Sequence, residues 1–264
     1  MAEAAGLAAS VIALAGLFNN TVECFEFIQL GRNFGKNFQT SQLKLDNARL
    51  RLSRWGCSLG LNDNIQDVQS LQDCFGSRQN IDQADALLGQ ILDLFGEAEG
   101  ISDKYKSRIK ADDDSLAICN PQTDLEPAIA DLHNTMRQLS IERQNRTGLR
   151  QKAKWALYEE KRFRRLIEDV IELVNDLVEL FPASRALQQQ LCETEVSTVG
   201  ANEGISVLQE IAAEQDKALE GALAKAANDT QGSQNVMFSG SNNTGFQLGY
   251  NSGSISGFTF GKGS

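Results

Sequence analysis

The stretch Ala153–Phe181, AKWALYEEKRFRRLIEDVIELVNDLVELF, decides the fold class. Its residues Trp155, Tyr158, Phe163, Leu166, Ile167, Val170, Val174, Leu177 and Phe181 recur at three- and four-residue steps, the spacing that gathers side chains on one face of a helix. The spacing predicts a helix over 153–181, stopped by Pro182, whose apolar face meets a core rather than a binding groove. Outward from it, periodicity predicts further helices over 4–30, 38–60, 81–100, 124–150, 184–196 and 204–227, while clusters of Asn, Asp, Gly and Pro mark 61–80 and 101–123 as loops. Up to Ala227 the chain is rich in Leu, Ala, Glu, Lys, Arg and Gln, and no run reads as a strand. The expectation is an all-α helical bundle over 1–227. A second region, 228–264, follows through a hinge at Asn228–Asn235.

That second region has period two. Asn243, Gly245, Gln247, Gly249, Asn251, Gly253, Ile255 and Gly257 lie on one face of an extended chain, and Phe246, Leu248 and Tyr250 on the other. A single glycine-rich strand leaves its backbone groups unpaired, so alone the segment reads as a disordered tail or linker. Stacked in register with copies of itself, it gains amide ladders at Asn243, Gln247 and Asn251 and a dry seam at Phe246, Leu248 and Tyr250. Only Asp229 and Lys262 are charged in this region, so little repulsion opposes stacking. The expectation is a tail that is disordered alone and amyloid-competent with itself as partner.

The chain of 264 residues carries a net charge of −10, all of it on the helical region. An acidic body of this kind argues against nucleic-acid binding, which needs a basic face. Cys24, Cys57, Cys74, Cys119 and Cys192 are odd in number and widely spaced, which reads as thiols in a reducing compartment. With no basic residue ahead of the first apolar stretch, a secretory signal is not expected, and the protein is read as cytoplasmic at rest. His133 is the single histidine, and no phosphate-loop, zinc-protease or nucleophile-elbow motif occurs. No catalytic residue, metal site or cofactor is expected, and the acidic triplet Asp112–Asp114 lacks the spacing of a calcium loop.

Nineteen residues from Ala4 to Val22 are uncharged. As a helix they span roughly 28 Å, close to the hydrocarbon thickness of a bilayer. Leu7, Val11, Ile12, Leu14, Leu17 and Phe18 are the candidate insertion residues, although much of the stretch is Ala, Gly, Ser and Asn. Two states fit such a helix: packed on the body in a soluble form, or inserted in lipid once oligomerisation gathers copies. Basic residues crowd from Arg143 to Arg165, and Arg146, Arg150, Lys154, Arg162 and Arg165 are candidates for contact with lipid headgroups. A solvated helix face paired with acidic neighbours is the other reading of the same cluster.

Three separated motifs carry a family resemblance. GLFNNTVECFEFIQLGR (Gly16–Arg32), then QLKLD (Gln42–Asp46) with ARLRLSRWG (Ala48–Gly56), then KWALY (Lys154–Tyr158) resemble, in order, the HeLo domain of filamentous fungi, over about residues 1–225. The resemblance implies a helical bundle with at most a short β-hairpin, and membrane toxicity by release and insertion of an N-terminal segment, here about 4–30. The tail departs from the HET-S-like pattern of two longer, charged pseudo-repeats. It resembles instead the short glycine- and amide-rich signalling motifs of sigma or pseudopalindromic type, with Asn243-x-Gly-x-Gln247-x-Gly-x-Asn251 reading alike from either end. That likeness implies an NLR-like receptor with a matching motif as partner, membrane lipids as target, and movement from cytoplasm to plasma membrane on activation. A non-toxic helical adaptor or prion partner assembling through its tail is the rival reading.

Overall fold

The computed structural model describes residues 2–62, 75–109, 113–144, 153–200 and 202–232. Helix α1 (Ala2–Cys24) runs into a 3-10 turn and a three-residue strand, β1 (Ile28–Leu30). Helices α2 (Phe38–Ser58), α3 (Arg78–Arg108) and α4 (Pro127–Glu142) follow, with a single helical turn at Pro121–Asp124 before α4. Strand β2 (Trp155–Leu157) leads into α5 (Glu160–Leu180), and α6 (Arg185–Val199), α7 (Ile205–Gln215) and α8 (Lys217–Gly232) complete the bundle.

Helix α2 is the axis of the fold. A helix buried on every side lies in the middle of a core, and every residue from Leu45 to Gly56 is buried. Its neighbours α4, α5, α6 and α7 pack around it, while α1 lies chiefly against α3 and secondarily against α2. Burial of so polar a helix requires partners for its charges, and Arg49, Arg51 and Arg54 all find acidic or carbonyl acceptors. Helix α5 behaves as its periodicity demands, burying Phe163, Leu166, Ile167, Val170, Val174 and Leu177.

Three expected helices end earlier or break. The predicted helix at 153–181 begins only at Glu160, because Trp155–Leu157 pairs in parallel with Ile28–Leu30. The Trp155 and Tyr158 spacing fits a helix, but both faces of this segment are buried and the Ala156 carbonyl accepts from Ser102 Oγ at 2.6 Å. Where the resemblance implies at most a short β-hairpin, the structure has a parallel two-strand ladder between distant segments. Gly31 permits its close approach, since a Cβ there would lie 2.8 Å from the Tyr158 ring. The same pairing ends the predicted 4–30 helix at Cys24.

The predicted helix at 204–227 divides at Asp216 (φ −149°, ψ 84°). The Asp216 carboxylate accepts from the Leu219 backbone N–H at 3.2 Å, so it caps the following helix instead of continuing the preceding one. Helix α8 then runs to Gly232, into the expected hinge at 228–235. Conversely, α3 continues to Arg108 inside the predicted loop at 101–123, and α4 covers Pro127–Glu142 of the predicted 124–150, of which 145–150 lie outside the described residues.

Candidate functional site

The N-terminal helix and the C-terminal helical pair meet the same three residues of α2. Arg54, Trp55 and Gly56 are consecutive, and each performs a different task. Arg54 is 1% exposed; its Nε and Nη2 donate to Glu195 of α6 at 2.9 and 2.5 Å, and its Nη1 donates to Asp216 at 2.9 Å. Glu195 and Asp216 are equally buried, and Arg143 also pairs with Glu195 while Arg51 Nε lies 3.9 Å from Asp216. Burial disfavours the Arg54 charge, but Asp216 and Glu195 outweigh it and hold the guanidinium well above its ordinary pKa. Burial, opposed by Arg54 and Arg143 and reinforced by the Glu195 and Asp216 carboxylates, pushes the Cys192 thiol up to about 12.

Trp55 faces the other way. Its Nε1 donates to the Leu177 carbonyl at 2.9 Å, and its ring meets Phe18 of α1 edge-on with centroids 6.1 Å apart. Gly56 lets that phenyl ring lie directly on the α2 backbone: a Cβ at Gly56 would fall 2.2 Å from Phe18 Cε2. The hub thus links Asp216, the first capping group of α8, to Phe18 in the C-terminal part of α1 through adjacent residues of one helix.

Helix α1 is seated by one stripe. Val11, Leu14, Phe18 and Val22 are fully buried and Leu17 is half-buried, whereas Ile12 is 59% exposed on the outer face. The Leu7 side chain lies outside the described residues. A 20-residue window, Ala8–Phe27, is long and apolar enough to cross a membrane by length and composition, with mean hydropathy 1.3. Three of its polar side chains bond within the helix: Ser10 Oγ donates to the Gly6 carbonyl, Asn19 Nδ2 to Ala15 and Thr21 Oγ1 to Leu17, at 3.1, 2.7 and 2.8 Å. Just beyond α1, Glu26 accepts from Arg137 at 2.6 Å and pairs with Arg49. Burial opposes the Glu26 charge, yet the two arginines outweigh it and hold the carboxyl below its ordinary range.

Among the described residues the basic run is divided between buried and exposed positions. Arg146 and Arg150 lie outside the described residues, as do Asn243, Gly245, Phe246, Gln247, Leu248, Gly249, Tyr250, Asn251, Gly253, Ile255 and Gly257. Lys154 and Arg165 are exposed, Arg162 pairs with Glu159, and Arg143 is buried against Glu195. Arg162 and Arg165 share a groove with Glu97, Glu159 and Asp169, so acidic neighbours temper the cationic surface there. Among the described residues no cluster of His, Cys, Asp or Glu could hold a metal ion.

The HeLo family, described as prion-inhibition and propagation, matches residues 6–211 of this helical bundle. The chain belongs to that family. The "Heterokaryon incompatibility protein s" of Podospora anserina is 34% identical over 225 residues, covering 85% of this chain and 75% of its own. The S protein of the same organism is 34% identical over 229 residues with the same coverage. The solved HET-S N-terminal domain superposes with a TM-score of 0.73 at 31% identity, over 83% of this chain and 97% of that one. A doubly substituted HET-s N-terminal domain gives 0.72 at 33%, over 81% and 98%. Residues 230–257 match a second family, the SesB domain on fungal death-pathway protein, which takes in every amyloid-motif residue predicted between Asn243 and Gly257. Body and tail together make this a HET-S-like HeLo protein with a C-terminal death-pathway motif, consistent with a role in fungal heterokaryon incompatibility and cell death.

Proposed function

We propose that this protein is a non-enzymatic cell-death effector in which amyloid assembly of the tail releases α1 into a membrane. The carrying observation is the seating of a membrane-length apolar helix by a single buried stripe. Ser10, Asn19 and Thr21 donate to carbonyls one turn back in the same helix, so these three donors keep their hydrogen bonds if α1 leaves water. The route from tail to helix is short. The SesB match begins at residue 230, within the last turn of α8, so ordering the motif as cross-β competes with the end of that helix. Strain on α8 bears on Asp216, and through Arg54, Trp55 and Gly56 on Phe18. A domain stabilised by about 5–15 kcal/mol is within reach of such a perturbation.

In this reading the protein rests in the cytoplasm, an NLR-like receptor with a matching motif supplies the first template, and the plasma membrane is the target. Arg146, Arg150, Lys154, Arg162 and Arg165 meet anionic headgroups at that stage, each contributing about 1 kcal/mol near the surface. The test is dye release from anionic vesicles by the full chain, with and without preformed fibres of a peptide spanning 230–264, and by a chain lacking residues 1–20. Seeded release by the full chain and none by the truncated one supports the proposal. Equal release by both overturns the assignment of α1, and assembly without release by either favours the adaptor.

A further inference from the structure

The seam between α3 and α5 carries a pattern that the release mechanism does not use. Each helix places an apolar residue there at every seventh position: Leu87, Leu94 and Ile101 on α3, and Leu166, Leu173 and Leu180 on α5. Two open cavities show how these meet. One of about 520 Å3 is lined by Leu87, Gln90, Asp176 and Leu180, and one of about 430 Å3 by Leu94, Glu97, Ile101, Leu166 and Asp169. The helices therefore run antiparallel, and the seam has three apolar rungs, Leu87 with Leu180, Leu94 with Leu173 and Ile101 with Leu166. Two polar rungs separate them, Gln90 with Asp176 and Glu97 with Asp169. At about 1.5 Å per residue the ladder is roughly 21 Å long.

This seam faces outward. Leu87, Leu94, Ile101, Leu173, Leu180 and Asp169 are half-buried, while Gln90, Glu97 and Asp176 are exposed; only Leu166 is buried. Every residue that lines either cavity belongs to α3, to α5 or to the β2 segment leading into α5. Half-buried leucines at heptad spacing on two antiparallel helices form the kind of groove into which a third helix packs.

Charge selects the occupant. Glu97, Asp169 and Asp176 form no ion pair among the described residues. A second copy seated through the same face sets its own three carboxylates against these, and like charges repel. A helix with Lys or Arg between its leucines pairs with them instead. Asp176 and Glu179 lie at one end of the groove and Lys161, Arg162 and Arg165 at the other, so the positive N-terminal end of the docked helix belongs at the Leu87 end.

We propose that the α3–α5 groove binds an amphipathic helix of another protein, with an apolar residue at every seventh position and Lys or Arg between, running parallel to α3. The probe is an alanine-based synthetic helix of three heptads, with Leu at every seventh position and Lys midway between, compared with the same peptide carrying Glu for Lys. Fluorescence anisotropy with the full, unseeded chain reads the affinity. The Lys peptide should bind saturably, one per chain, and the Glu peptide about tenfold more weakly or worse. Added salt should narrow that difference. Leu94→Asn, at the middle apolar rung, should weaken the Lys peptide by about tenfold or more. Glu97→Gln with Asp176→Asn, both at exposed sites, should weaken it by about three- to tenfold and carries the test if Leu94→Asn fails to fold. Equal affinity for the two peptides, or binding that both variants leave untouched, is general adhesion to an acidic protein and overturns the proposal. Self-association of the unseeded chain that Leu94→Asn abolishes, read by sedimentation, gives the groove to a second copy and overturns it as well.

Discussion

Arg54→Met is the sharpest perturbation of the hub. The methionine fills similar space while deleting three hydrogen bonds to Glu195 and one to Asp216. Two carboxylates, each 1% exposed, then remain with Arg143 on one and Arg51, 3.9 Å distant, on the other. Breaking a buried pair by removing one partner costs about 3–5 kcal/mol, because the remaining charge is stranded. With a urea dependence of about 2 kcal/mol per molar, the midpoint should fall by roughly 1.5–2.5 M. Urea unfolding of the full chain, followed by the fluorescence of buried Trp55 and Trp155, measures it. Adding Glu195→Gln to Arg54→Met removes one stranded charge, so the double variant should be more stable than the two single losses summed, by about 0.5–3 kcal/mol. A loss below about 1 kcal/mol with additive effects would refute the claim that this network is sealed and mutually dependent.

Gly56→Ala drives a methyl into the Phe18 ring and should cost about 1–3 kcal/mol, with α1 protease-sensitive before the rest of the body; limited proteolysis that cuts the body first would contradict this. Burial alone would depress the His133 imidazole, but the hydrogen bond to Asp46 and the charge of that carboxylate together outweigh burial and raise its pKa. Stability from this pair is therefore complete below about pH 6.5 and declines as pH rises through the raised folded value, and His133→Gln should flatten that slope in urea midpoints taken from pH 5.5 to 8.5. Cys192, buried with its thiol pushed up to about 12, should react with a thiol reagent only on unfolding, whereas reaction at the rate of an exposed cysteine in the native protein would show that the hub is open.

Most of the bundle was legible because its helices keep one apolar face, as α5 does from Phe163 to Leu177. The parallel ladder was not, since Trp155 and Tyr158 satisfy helical spacing and only pairing with Ile28–Leu30, over a hundred residues away, makes the segment extended. The break at Asp216 left a faint trace: an aspartate three residues before Leu219 is a capping pattern, hidden inside an otherwise continuous helical run. Leu14 and Phe18 were recognisable as apolar, but not as the stripe that seats α1, because Ile12 on the exposed face reads the same. The hub's role escaped, although Arg54, Trp55 and Gly56 end the quoted Ala48–Gly56 motif. Arginine is a residue type usually left in solvent, and the burial of Arg49, Arg51 and Arg54 follows only from α2 being surrounded by α4, α5, α6 and α7. Three arginines spaced along an otherwise leucine-rich helix of an acidic protein were the available signal.

Hydrogen exchange of the full chain, read by mass spectrometry before and after adding fibres of the 230–264 peptide in the absence of membrane, tests the coupling most directly. The account predicts that residues 243–257 gain protection while residues 11–22, which carry the α1 stripe, lose it in the same time course. Gain of protection in the tail with α1 still protected would contradict it.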